Sequence, residues 1–219
     1  MRYSLLLAAL ASILLVACAG DTELQPSPVD LTETSQADLL PEMPEADEGI
    51  RARRRMDAEQ LSASMRIVSG GIGWTELNGD GEEIDLFEEL AATLGVPDYV
   101  ERTREDLTAS VVFEKFLGDA SRAVCSGMVG REITQGAAEA VLMLHASQED
   151  SWETNPQGVE RNMRYLLLRF HGTGYGAGDP RLDPWLWLFR SSMQDGSAPP
   201  LAWHTVCVSL FTHPDFYSY

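Results

Sequence analysis

The sequence predicts an all-α protein, with a single compact domain of about six or seven helices behind a disordered N-terminal tether. Apolar residues recur at intervals of three and four through most of the chain after residue 55, which is the period of a helix. Capping residues precede these apolar stretches, and Gly or Pro follows several of them. Alternating strand patterns are nearly absent, and Asn78-Gly79 could at most turn a small hairpin.

Each predicted helix has a local reason to begin where it does. Asp57 and Gln60 form a capping box, and Asn155-Pro156 pairs an N-cap with a proline in the first helical turn. The longest amphipathic stretch runs from Thr108 to about Met128, and a weaker helix is predicted over Ala137 to His145. The predicted helices begin near Asp57, Asp85, Thr108, Ala137, Asn155, Asp183 and Pro199.

The charge balance excludes some classes of function. The chain has 219 residues and a formal net charge of -18, with 34 acidic residues against 16 basic ones. A nucleic-acid-binding surface needs clustered Lys and Arg to contact phosphates, so no nucleic-acid partner is expected. Lys115 is the one lysine in the sequence, which leaves Schiff-base chemistry almost without a candidate.

The N-terminus reads as an export signal. Arg2 precedes an apolar stretch from Leu5 to Ala17 that is too short to span a bilayer as a helix. Leu15-Val16-Ala17-Cys18 resembles the lipobox of bacterial lipoproteins, which implies that residues 1–17 are removed and Cys18 is lipidated. Ala19 after this cysteine favours the outer membrane of a Gram-negative cell envelope. The alternative is an ordinary signal peptide in which Cys18 lies near the cleavage site by chance.

Residues 18–52 are predicted to be a disordered acidic tether. The stretch from 19 to 50 contains nine acidic residues, four prolines and no basic or aromatic residue. Such a composition cannot bury enough apolar surface to offset the entropy of ordering. A flexible chain of this length would span about 30 Å. An acidic ligand for a basic partner is the alternative, and residues 53–219 are predicted to form the helical globule.

Two cysteines remain once Cys18 is lipidated. Cys125 and Cys207 both lie on apolar stripes of predicted helices, and an oxidising compartment favours a disulfide between them. Two buried thiols are the alternative. His204 and Cys207 share one helix face and could join Cys125 around a metal, but no second ligand pair accompanies them. No metal site is therefore predicted.

Two other motifs lack the spacing that their chemistry needs. The acidic stretch from Glu76 to Ile84 has oxygen ligands at alternate positions, but they are out of register for a calcium loop. The glycines from Gly172 to Gly178 follow a predicted helix, whereas a dinucleotide-binding loop follows a strand. The first is predicted to be an acidic turn and the second a connector. No cofactor and no catalytic set are predicted.

Both ends of the globule resemble a bacterial domain of unknown function. The opening stretch Arg54-Arg55-Met56-Asp57-Ala58-Glu59-Gln60-Leu61 and the closing stretch from Ala202 to Phe216 carry the resemblance. That domain is similar in opening with an Arg-Arg helix and closing with a hydrophobic helix and a short aromatic tail. It is the C-terminal domain of large secreted surface proteins that also bear a cytochrome-c-type domain. The resemblance implies a helical fold, a surface location and partners encoded nearby, and it implies no catalytic residues.

Two hypotheses of function follow from these features. The first is a lipid-anchored envelope module, most simply non-enzymatic, that binds an envelope protein or polysaccharide. Its basis is the lipobox, the tether and the lack of a recognisable catalytic set. The second is an accessory subunit of an envelope enzyme or redox system, with a site that uses His171, His204, His213 or Asp215. The chain has no Cys-x-x-Cys-His motif, so covalent c-type haem is not expected.

Overall fold

The computed structural model describes residues 54–94, 96, 107, 110–136, 139–194 and 196–219. The predicted signal peptide, Cys18 and the predicted tether lie outside these residues. Everything described belongs to one compact unit, Arg51–Tyr219. The described residues form an all-α domain with seven α-helices and one small hairpin, which confirms the predicted fold class.

The secondary structure follows a simple order along the chain. Two short 3₁₀ turns, Ala91–Leu94 and Pro180–Leu182, precede α3 and α5. The hairpin lies between α1 and α2, and its two strands pair antiparallel. The elements are α1 Ala58–Val68, β1 Thr75–Leu77, β2 Glu83–Asp85, α2 Leu86–Glu89, α3 Val111–Gln135, α4 Pro156–His171, α5 Asp183–Ser191, α6 Pro199–Thr212 and α7 Pro214–Tyr217.

Local capping explains where α1 and α4 begin. The Asp57 carboxylate accepts the backbone N–H of Gln60 at 2.7 Å, and the Gln60 side chain accepts the backbone N–H of Asp57. This is the predicted capping box. Asn155 accepts the N–H of Gly158 at 2.9 Å in the first turn of α4. Gly172 ends α4 with a φ of 66°, a left-handed conformation that glycine adopts without strain.

The acidic stretch from Glu76 to Ile84 forms the hairpin. Glu76 and Ile84 face each other across the two strands. Asn78 organises the turn, because its side-chain oxygen accepts the backbone N–H groups of Asp80 at 3.0 Å and Glu82 at 2.8 Å. Its amide also donates to the Glu82 carboxylate at 3.2 Å. These contacts are those of an acidic turn. The helix predicted from Asp85 onward is a single α-turn followed by a 3₁₀ turn.

Helices α3 and α6 pack against each other at the centre of the core. α3 extends to Gln135, several residues beyond the predicted end near Met128. Cys125 and Cys207 are both completely buried between the two helices and form a disulfide, with their Cα atoms 5.9 Å apart. The predicted pairing is therefore present. Fully buried side chains surround it, among them Ala120, Val124, Met128, Trp203, Val206 and Leu210.

The helix predicted over Ala137 to His145 is wrong. Residues 141–146 form a series of bends, and Ala137 lies outside the described residues. The backbone N–H groups of Val141, Leu142 and Met143 donate to the carboxylate of Glu132 instead of to carbonyls one helical turn earlier. A long-range acceptor therefore competes successfully with the weak local helical preference.

The two ends of the globule pair with each other. The backbone N–H of Met56 donates to Tyr217 at 2.7 Å, and Arg54 exchanges two backbone hydrogen bonds of 3.0 Å with Tyr219. Between them, Arg55 is only 3% exposed, donates to the carbonyl of Leu94 at 3.0 Å and lies over the ring of Phe113.

None of the helices in the described part of the chain combines the length and the hydrophobicity that crossing a bilayer requires.

Candidate functional site

Three of the four residues proposed from the sequence for a polar site lie together where α4, α6 and α7 meet. His171 is the last residue of α4, His213 separates α6 from α7, and Asp215 lies in the first turn of α7. One potential ligand atom from each residue lies within 4.8 Å of the others. We call these three residues the His–Asp cluster.

His171 is held in one orientation by the backbone of α6. Its Nε2 lies 3.0 Å from the carbonyl oxygen of Leu210. A carbonyl can only accept, so Nε2 carries the proton and Nδ1 of the neutral ring keeps its lone pair. Burial lowers the pKa of His171, and the nearby His213 acts in the same direction, while the Leu210 carbonyl and Asp215 oppose the shift. The net direction favours the neutral ring.

His213 and Asp215 are brought together by the turn into α7. The ring Nδ1 of His213 accepts the backbone N–H of Asp215 at 3.2 Å, so the histidine acts as the N-cap of this short helix. Pro214 occupies the first helical position, where its missing N–H costs nothing. The Asp215 carboxylate oxygen lies 3.6 Å from the same nitrogen. The side chain of His213 is 40% exposed and that of Asp215 is 39% exposed.

An aromatic side chain borders the cluster. The rings of His171 and His213 are stacked with their centroids 4.8 Å apart and an angle of 28° between their planes. Trp185, from α5, lies 5.6 Å from each of the two rings. The indole therefore limits the movement of both imidazoles while the carboxylate side of the cluster stays open to solvent.

The fourth candidate, His204, lies elsewhere. Its Nε2 is 3.1 Å from the hydroxyl of Ser126 and 3.4 Å from the carbonyl of Arg122, on the face between α6 and α3. The sulfur of Cys207 is committed to the disulfide with Cys125, so the three-ligand arrangement considered from the sequence is not formed. The cluster takes its histidines from helix ends and not from the centre of α6.

Glu132 is a buried carboxylate that the sequence analysis missed. It lies on α3, is 2% exposed, and accepts the backbone N–H of Val141 at 2.7 Å and of Met143 at 2.8 Å, together with that of Leu142. Its spacing of four residues from Met128 on the buried stripe was the available sign. Both oxygens are occupied by backbone donors, so the role of Glu132 is to hold residues 141–143 in place.

Asn162 also holds the segment around residues 141–145 in place. Its side-chain amide donates to the carbonyl of Leu142 at 2.9 Å and its oxygen accepts the backbone N–H of His145 at 2.9 Å. Asn162 is fully buried on α4. A cavity of about 360 Å³ borders Glu132 and Met143. Because the Glu132 carboxylate beside it is already occupied by backbone donors, this cavity offers weaker ligand chemistry than the His–Asp cluster.

A second candidate surface follows α1. A groove of about 450 Å³ is bordered by Ser62, Ala63 and Arg66 on one side and by Asp85 and Phe87 on the other. Arg66 and Asp85 form an ion pair at 2.5 Å across it. The groove is also lined by Ala58, Glu59, Glu88, Ala91 and Val96. The groove is shallow and has mixed polarity, which suits a contact surface better than a reaction site.

Comparison with known proteins gives no match to a family model, to a curated protein or to a solved structure.

Proposed function

We propose that the chain is a bacterial envelope lipoprotein, anchored through Cys18, whose helical globule acts as a non-enzymatic binding or accessory module. The partner class is an envelope protein or an envelope polysaccharide, and the proposed location is the outer membrane of a Gram-negative bacterium. The single observation that carries the proposal is Leu15-Val16-Ala17-Cys18 directly after a short apolar stretch.

The disulfide supports export. Disulfides persist in oxidising compartments such as the periplasm and the cell surface, and they are rare in the cytosol. The Cys125–Cys207 bridge lies at the centre of the core. A core built around a disulfide is therefore typical of an exported domain and rare in a cytosolic one.

We also propose kinship with the helical domain of unknown function that the two ends resemble. The opening stretch pairs with the residues that directly follow the closing stretch, since Arg54 and Met56 hydrogen-bond with Tyr219 and Tyr217. Phe216, within the closing stretch, is 4% exposed and packs against Phe211 with ring centroids 4.9 Å apart. The pairing holds the end of the closing stretch near the opening stretch, which supports comparing them as one unit.

Replacing Cys18 tests the anchor. We expect Cys18→Ala to abolish incorporation of a fatty-acid label and to release the protein from membranes under a high-salt wash, because stable anchoring requires the acyl chains. Ala19→Ser is the matched control, since it changes the next residue and leaves the modified sulfur in place. Labelling of Cys18→Ala, or a wild-type protein that takes up no label, would contradict the proposal.

The His–Asp cluster favours a second candidate function, an accessory subunit of an envelope enzyme or redox system. Its basis is the convergence of His171, His213 and Asp215 beside Trp185. Cross-linking in intact cells distinguishes the two functions when it is done with the wild-type chain and with His213→Asn. A binding module that acts through another surface yields the same cross-linked partner with both chains, whereas a subunit that works through the cluster loses it in the variant.

A further inference from the structure

We propose that the His–Asp cluster is a binding site for a divalent first-row transition-metal ion such as Zn²⁺, with His171, His213 and Asp215 as the three protein ligands. This inference concerns the globule and does not depend on lipid anchoring. The residue types suit such an ion, because imidazole nitrogen and carboxylate oxygen are common zinc ligands, whereas Mg²⁺ and Ca²⁺ prefer oxygen ligands alone.

The separation of two of the three ligand atoms fits one ion. Zinc binds nitrogen and carboxylate oxygen at about 2.0–2.2 Å, so two tetrahedral ligands lie roughly 3.4 Å apart. The distance between His213 Nδ1 and Asp215 Oδ2 is 3.6 Å. The third ligand atom lies within 4.8 Å of the others. For the in-plane lone pair of His171 Nδ1 to reach the same ion, the His171 ring must turn out of its stack on His213, whose plane lies at 28° to its own.

The surroundings of His171 provide an independent argument. Metal-binding histidines usually donate their second ring N–H to a carbonyl or carboxylate, which fixes the tautomer and aims the other nitrogen at the metal. His171 makes this contact through Nε2 with the carbonyl of Leu210 at 3.0 Å. Nδ1 is then the nitrogen that can bind an ion.

Metal binding at Nδ1 of His213 would replace one weak hydrogen bond. That nitrogen accepts the backbone N–H of Asp215 at 3.2 Å, a long contact for this type of bond. The ion would take over the task of holding His213 and Asp215 together at the start of α7. Since His171 belongs to α4, the bound ion would tie α4 to the C-terminal turn.

The number of ligands defines the kind of site. Structural zinc sites usually have four protein ligands, whereas three protein ligands leave a position for water or for another molecule. The cluster has three protein ligands, and the side chains of His213 and Asp215 are 40% and 39% exposed. The fourth position of the ion would therefore face solvent and could take a donor group from a ligand or partner.

The test is calorimetric titration of the full chain, purified in mild detergent and stripped with a chelator, with Zn²⁺. We expect one saturable site per chain and a Zn²⁺-dependent rise in the melting temperature. His213→Asn and Asp215→Asn should each weaken binding at least tenfold and remove that rise. Asparagine is a good N-cap, so His213→Asn keeps a side-chain acceptor for the backbone N–H of Asp215 and should leave the metal-free melting temperature nearly unchanged.

His204→Gln and His145→Gln are matched controls, because both remove an imidazole outside the cluster, and they should bind Zn²⁺ as the wild type does. Excess Mg²⁺ or Ca²⁺ should not compete. A second readout does not need variants: Co²⁺ bound at the site should give the visible absorption of a low-coordinate nitrogen and oxygen environment. Absence of a saturable site in the wild type, or wild-type affinity in both cluster variants, would overturn the proposal.

Discussion

Loss of the Cys125–Cys207 disulfide is expected to lower the free energy of unfolding by about 4 kcal/mol. The bridge joins residues that are 82 positions apart, so in the unfolded chain it closes a long loop and removes much conformational entropy. It also ties α6 to α3, and both cysteines are completely buried. Without the bridge, α6 and the C-terminal turn that follows it should open first, because chain termini fray most easily.

Denaturant unfolding with and without reductant measures this effect. The double variant Cys125→Ala/Cys207→Ala should match the reduced wild type, and reductant should leave the variant unchanged. Alkylation in denaturant without reductant tests the bridge itself, since exposure then no longer limits the reaction. Adducts on peptides containing Cys125 and Cys207 under those conditions would contradict the pairing, and the expected result is a cross-linked peptide with no adduct.

Replacing Glu132 with Ala is expected to cost about 3 kcal/mol of unfolding free energy. The substitution leaves the backbone N–H groups of Val141, Leu142 and Met143 without their acceptor, and each unsatisfied buried donor costs about 1–3 kcal/mol. Water from the neighbouring cavity can satisfy part of the loss, which keeps the total at the lower end. Glu132→Gln should cost less, because its amide retains one oxygen acceptor.

Urea denaturation together with amide hydrogen exchange checks this prediction. The amides of residues 141–143 should exchange with solvent much faster in Glu132→Ala than in the wild type. The amides of α6 should exchange faster only to the extent that the free energy of global unfolding has fallen. Glu149→Ala is the control, because Glu149 is an exposed acid at the same cavity. An unchanged unfolding free energy in Glu132→Ala would mean that these three hydrogen bonds do not hold the segment.

The sequence was sufficient where local chemistry determines the structure. The capping box of Asp57 and Gln60, the Asn155 cap and the stop at Gly172 all depend on neighbouring residues, and all are present. The helix over Ala137 to His145 failed because Glu132 and Asn162 hold those residues from other helices. Periodicity within a segment contains no information about such distant partners.

The candidate site was likewise predictable from the sequence only in part. The sequence named His171, His213 and Asp215 among its candidates, but it also named His204 and could not separate them. Their grouping depends on how the end of α4 packs beside the turn between α6 and α7, which is a tertiary feature. The His213-Pro214-Asp215 turn was the local part of the pattern, since a histidine cap places the following acid close to its own ring.

The central claim is that Cys18 is the lipidated N-terminus of the mature protein, and mass spectrometry of the protein purified from membranes tests it most directly. The first basic residue after Cys18 is Arg51, so trypsin should release the N-terminal peptide as residues 18–51. The account predicts that this peptide begins at Cys18 and carries acyl chains on the cysteine. A mature N-terminus at another residue, or an unmodified Cys18, would contradict it.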